Sequence, residues 1–147
     1  MSSDLNPLDR IEKEVSDHQQ KIDIQLEMKD RIAELIPEYG GNVEEARVME
    51  FFFYADAETD AKALAKQLET SYHGKNIGIH FSHDKFCIMG QTEKKYIKSQ
   101  PFETWIAQMN ELAFSLDCEF DGWGSAVKNS MFSFLMYNVQ WGVFNFQ

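Results

Sequence analysis

His80, His83 and Cys87 are the residues of this chain best suited by type to chemistry, spaced H-x2-H-x3-C. Imidazole and thiolate are zinc ligands, but zinc takes three or four donors converging tetrahedrally. On a hairpin, His80 and Cys87 share a face while His83 falls in the turn, and no fourth ligand stands out. Two unconnected histidines are the favoured reading. Nucleophilic catalysis has less support. Cys87 and Cys118 lie in apolar runs, which raise a thiol's pKa instead of activating it. The sequence has no G-x-S-x-G elbow and no phosphate-cradling glycine loop. Glu44-Glu45 and Asp117/Glu119 are carboxylate pairs, yet among 24 acids in 147 residues such pairs carry no weight as acid–base candidates. The expectation is no catalytic residue, no cofactor and no metal.

Charge points the same way. The net charge is −10, with ten acids against five bases over Met1 to Tyr39 and seven against three over Gly40 to Thr70. Only Ser71 to Gln100 reverses the sign, through Lys75, Lys85, Lys94, Lys95 and Lys98. Nucleic-acid binding needs a basic footprint, so direct nucleic-acid contact is not expected. A cationic protein partner suits this surface, as does plain solubility. No apolar run is long enough for a membrane span, and the N-terminus lacks the apolar core of a secretory signal. A cytoplasmic home is the default expectation. Two cysteines in apolar patterns fit buried thiols better than a disulfide framework.

The elements that must hold these residues follow from periodicity. Leu8, Ile11, Val15, His18 and Ile22 recur at helical steps, and Met28, Ile32, Leu35 and Ile36 form a second stripe. Ile22, Ile24, Leu26 and Met28 alternate like a strand, but Asp23, Gln25 and Glu27 between them are poor β-formers. The segment therefore reads as helix from about Leu8 to Ile36, with a shift of face. Arg47 to Ala55 is a central strand, apolar on both faces. Asp56 is placed to cap a helix carrying Ala57, Ala61, Leu64, Ala65 and Leu68. Asn76–Phe81 and Phe86–Met89 make a hairpin around Ser82–Lys85. Gln91 to Gln100 reads as a polar connection, and Pro101 opens a helix with Phe102, Trp105, Ile106, Met109, Leu112, Ala113 and Leu116 on one face. Cys118 to Phe120 is a short strand. Glu119-Phe120-Asp121-Gly122-Trp123-Gly124 then reads as a sharp turn fixing one aromatic ring.

In order this is a helix followed by β-α-β-β-α-β, an α+β, ferredoxin-like split β-α-β sandwich with an N-terminal helical extension. Residues 1–39 form the extension and 40–147 the domain, which ends in the aromatic tail Met131 to Gln147. The tail either packs on the open face of the sheet, the favoured reading, or presents a sticky surface to a partner.

These residues resemble those of the RraB family, the bacterial regulators of ribonuclease E activity. Asn110-Glu111-Leu112-Ala113 through Cys118-Glu119-Phe120-Asp121-Gly122-Trp123-Gly124 look like that family's late helix running into "(Y/F)DGWG". Ile36-Pro37-Glu38-Tyr39-Gly40, Arg47-Val48-Met49-Glu50-Phe51 and Asp56-Ala57-Glu58-Thr59-Asp60-Ala61 are similar to its helix, glycine turn, strand and acidic second helix. The match runs over about Asp30 to Ser125. It implies a ferredoxin-like domain without a catalytic centre that binds ribonuclease E and inhibits it. Two features depart from the family pattern: the long N-terminal helix, and an aromatic tail where well-known members are acidic.

Three readings of function follow. The first is a non-catalytic regulatory protein that modulates RNA decay by contact with a protein partner, ribonuclease E by resemblance. The second is an interaction or assembly protein, a homodimer built through the tail or the N-terminal helix. The third and weakest is an RNA-binding sheet using Phe51, Phe53 and the lysines of Lys75 to Lys98. Asp121, Gly122, Trp123 and Gly124 are the candidate partner contact. Trp123 either anchors a partner or plugs the end of the sheet while Asp121 bonds nearby backbone, and the plug is favoured. The acidic helix Asp9 to Glu38 is the next candidate surface, suited to an arginine-rich segment, with a solvated helix face as the favoured alternative.

Overall fold

The computed structural model describes residues 6–126, 134–138 and 142–146. Asn6 starts the first helix, its side-chain oxygen accepting a hydrogen bond from the Asp9 N–H at 2.8 Å. Pro7 occupies the opening position, where its missing N–H would have no helical partner anyway. The helix, α1, runs unbroken over Pro7–Glu38. The strand-like alternation of Ile22 to Met28 does not interrupt it: Ile22 is buried and Ile24 exposed, as helical geometry requires. The chain leaves α1 through Gly40 at φ 85°, a conformation that glycine adopts without a Cβ penalty.

β1 (Arg47–Ala55) follows, then α2 (Glu58–Ser71), β2 (Lys75–Ser82), β3 (Lys85–Lys95), α3 (Gln100–Ser115) and β4 (Cys118–Ala126). β5 (Phe134–Asn138) and β6 (Gly142–Phe146) complete a six-stranded antiparallel sheet of order β2-β3-β1-β4-β5-β6. The first four strands have the ferredoxin-like arrangement read from the sequence. Met49, Phe51 and Phe53 of β1 point to the helices and join Leu64 and Leu68 of α2, Ile88 of β3, and Phe102, Ile106 and Met109 of α3 in one core. Ile32 and Ile36 of α1 belong to the same core. α1 lies alongside α3 and reaches over β5 and β6, so the widened sheet receives a third helix on that face.

Several local expectations need correction. β3 continues to Lys95 and absorbs much of the segment read as a polar connection. Thr92 makes this possible: its hydroxyl accepts from the Met49 N–H (3.1 Å) and donates to the Glu93 carbonyl (2.6 Å) where the β1–β3 register slips. Asp56 does not cap α2. Ala57 is the N-cap residue, without a side-chain bond, and Asp56 pairs with Lys85 at 3.3 Å. The tail joins the sheet beyond β4 instead of covering its open face, and residues 131–133, 139–141 and 147 lie outside the described residues. The hairpin turn is as expected: His83 (φ 55°) and Asp84 (φ 63°) form a two-residue loop with positive φ at both positions.

Candidate functional site

The Asp-Gly-Trp-Gly segment is not a turn but the middle of β4. Phe53 pairs with Phe120 and Phe52 with Gly122, which leaves Asp121 as the extra residue of a β-bulge. The bulge explains a spacing that simple alternation forbids. Phe120 and Trp123 stand three apart, yet both face the helices, opposite the inward residues Phe53 and Phe51. On the other face, Gly122 and Gly124 lie beside Phe52 and Glu50 and add no side chains there. Asp121, Gly122, Trp123 and Gly124 are all buried in the chain taken alone. Trp123 is 0% exposed and meets Phe102 edge-on, with centroids 4.9 Å apart. Its indole N–H has no acceptor among the described residues. Of the two roles weighed for Trp123, burial supports the plug, seated in mid-sheet and not at the sheet's end.

His80 and Cys87 are register partners on β2 and β3, as a shared face requires. His83 stays in the turn with Nδ1 2.8 Å from the Ser82 hydroxyl. Among the described residues, no three His, Cys, Asp or Glu side chains are grouped to hold a metal ion. Burial, then the charge of Asp121, pushes the Cys87 thiol up to about 11, against an opposing hydrogen bond with Tyr54. Burial, then Asp60 and Asp117, pushes Cys118 up to about 11. At neutral pH both are protonated and poor nucleophiles.

The nucleic-acid reading loses its aromatic platform. Phe51 and Phe53 are 2% and 0% exposed beneath the helices, where no base can stack on them. The lysines are partly committed as well: Lys85 to Asp56, Lys98 to Glu44 at 3.8 Å, and Lys95 over the Trp105 ring at 5.7 Å.

The polar geometry most particular to this molecule joins α1 to the domain. Gln25 and Asn110 are buried; Asn110 Nδ2 donates to Gln25 Oε1 at 2.7 Å and to the Ile106 carbonyl at 2.9 Å. Gln25 Nε2 in turn donates to the Phe120 carbonyl at 3.1 Å. One turn along α1, buried Lys29 contacts Glu103 of α3 and Asp30, each at 3.1 Å. Burial opposes its charge, but these two carboxylates outweigh it and raise the pKa. Sequence reasoning missed this set. Its signal was polar residues at positions 25 and 29 of an otherwise apolar helical stripe.

Beside this network, α1, α3 and β4 border an open cavity of about 250 Å³ lined by Glu14, Asp17, His18, Lys21, Phe114 and Glu119, among others. Burial lowers the Lys21 pKa, against the pull of Glu119 and Asp121. The cavity holds no nucleophile paired with a base.

Fold and site together define a small ferredoxin-like α+β protein with a densely packed sheet and no assembled catalytic group among its described residues. The chain belongs to the RraB family, described as regulator of ribonuclease activity B, whose model matches residues 26–125. That match spans α2, α3, β1 to β3, nearly all of β4 and the last 13 residues of α1. No curated protein matches the chain. Among the described residues, no helix is long and apolar enough to cross a membrane.

Proposed function

We propose that this chain is a non-catalytic regulator that binds a ribonuclease E-type enzyme and slows its cleavage of RNA without touching RNA itself. The supporting observation is the family match over the sheet-and-helix unit, 26–125. A net charge of −10 adds support, since it opposes RNA and favours a cationic protein surface. Cytoplasmic RNA decay is the setting this reading implies. The motif Asp121–Gly124 serves it by fixing β4 under α3, and the acidic exposed side of α1 offers carboxylates to the enzyme. A pull-down with the enzyme's non-catalytic arm, together with a cleavage assay, tests the reading. Binding with slowed cleavage is expected; no binding at low salt would remove it.

A homodimer is the second reading, and one observation favours it: β6 ends the strand order and is rich in apolar residues, including Val143, Phe144 and Phe146. A terminal strand is a template for pairing with another chain. Sedimentation of the full chain against a variant ending at Ser130 decides. A dimer that survives truncation rules out the tail.

A further inference from the structure

Along α1, Leu8, Ile11, Val15, His18, Ile22, Gln25, Lys29, Ile32 and Ile36 follow one unbroken alternation of three- and four-residue steps. This is the spacing of a seam that packs against another helix. From Ile22 onward the seam is used, since Ile22, Gln25, Lys29, Ile32 and Ile36 are all buried. Its first three positions are not: Leu8, Ile11 and Val15 are 63%, 56% and 57% exposed. The last support is His18, whose ring lies 4.7 Å from that of Phe114, itself half exposed. Beyond it, Pro7 to Asp17 extend about 16 Å at 1.5 Å per residue, with their apolar stripe facing solvent.

We propose that this free half of the seam docks a basic amphipathic helix from a partner protein, an apolar stripe bordered by Lys or Arg. Two observations argue for that occupant. The exposed stripe is the continuation, in register, of the stripe that α1 packs against α3 and the sheet, so a helix laid beside it extends packing already present. The borders are also acidic: Glu12 and Glu14 flank the stripe, while Arg10 and Lys13 fall on the far side of the helix. Lys13 is matched there by Asp17 at 2.8 Å. A second copy of this chain fits less well, because its stripe brings Glu12 and Glu14 again and offers them no base. Residues 7–18 precede the family-matched region. The proposal therefore rests on the reading of the chain as a docking protein, but not on a ribonuclease as its partner.

The test uses the full chain and two designed helical peptides, both with leucine at the seam positions, one bordered by lysine and the other by glutamate. The lysine peptide is expected to bind, more weakly as salt rises, and the glutamate peptide not to bind. Ile11→Asp and Val15→Asp change exposed residues, and circular dichroism checks their folding. Each is expected to weaken the lysine peptide by about tenfold or more, although each adds a negative charge that would strengthen purely electrostatic adhesion. Unchanged or tighter binding to these variants overturns the proposal, as does equal binding of both peptides or none. A dimer in sedimentation that Ile11→Asp dissociates assigns the stripe to a second copy and overturns it too. Because the readout is a peptide, failure to bind a ribonuclease leaves this result standing.

Discussion

Gln25 and Asn110, 85 residues apart in sequence, share a buried 2.7 Å hydrogen bond that fixes α1 to α3. Truncating either residue strands a polar group in the core, costing about 1–3 kcal/mol. Gln25→Ala and Asn110→Ala are each expected to lower the urea midpoint. A double-mutant cycle should show the pair costing less than the sum of the singles. Additive losses would mean that the bond contributes nothing of its own.

Trp123→Ala removes a fully buried ring that contacts Phe102. A loss of about 3–5 kcal/mol is expected, much of a small domain's stability. Thermal unfolding measures it. A variant that melts like the native chain but no longer binds partner would return Trp123 to the role of anchor.

Gly90 of β3 lies under the Phe51 ring, and a Cβ there would come 2.5 Å from the ring's edge. Gly90→Ala must therefore displace Phe51, with an expected cost of about 1–3 kcal/mol. Gly78→Ala on the neighbouring strand has open space around the new methyl and serves as the control. Equal melting temperatures for the two variants would refute the packing argument.

Both thiols are held near 11 in the folded chain, chiefly by burial, against an ordinary value of 9.0. The folded state thus binds their protons more tightly than the unfolded state does. Their contribution to stability is fully present below pH 9 and is lost as pH rises through 11. Alkaline titration of the unfolding midpoint should show this loss, and Cys87→Ser with Cys118→Ser should flatten it. A thiol reagent at pH 8 is expected to react slowly until denaturant is added.

Lys29 is raised by its two carboxylates, so its share of stability is present below about 10.5, its ordinary value, and fades as pH climbs through the higher folded value. Glu103→Ala withdraws one partner from the buried ammonium and should cost about 1–3 kcal/mol. Lys29→Met removes the buried charge itself and should change stability by less than about 1 kcal/mol in either direction. Chemical denaturation of the two variants checks the order.

The sequence made the strand order of the central unit legible. Apolar runs and turn residues marked β1, the β2–β3 hairpin and the helices between, and the motif supplied the family. What escaped had non-local causes. Thr92 looks like a loop residue until the β1 backbone N–H it accepts from is known. Asp121-Gly122 carries turn chemistry, yet pairing on both sides draws it into a strand as a bulge. Gln25 and Lys29 carry no local sign of burial, because their partners, Asn110 and Glu103, lie on a helix more than 70 residues away. The aromatic tail was correctly read as apolar, but composition does not distinguish covering a face from extending an edge.

Asp121 acts as a spacer. Were Asp121 drawn into the ladder opposite Phe52, the chain from Gly122 onward would turn over: the Trp123 ring would swing to the opposite face and bare glycine would take its place inside. β5, hydrogen-bonded along β4 from Gly122 to Ala126, would lose its register with it, and β6 would follow through β5. This half of the sheet therefore depends on one residue staying outside the ladder.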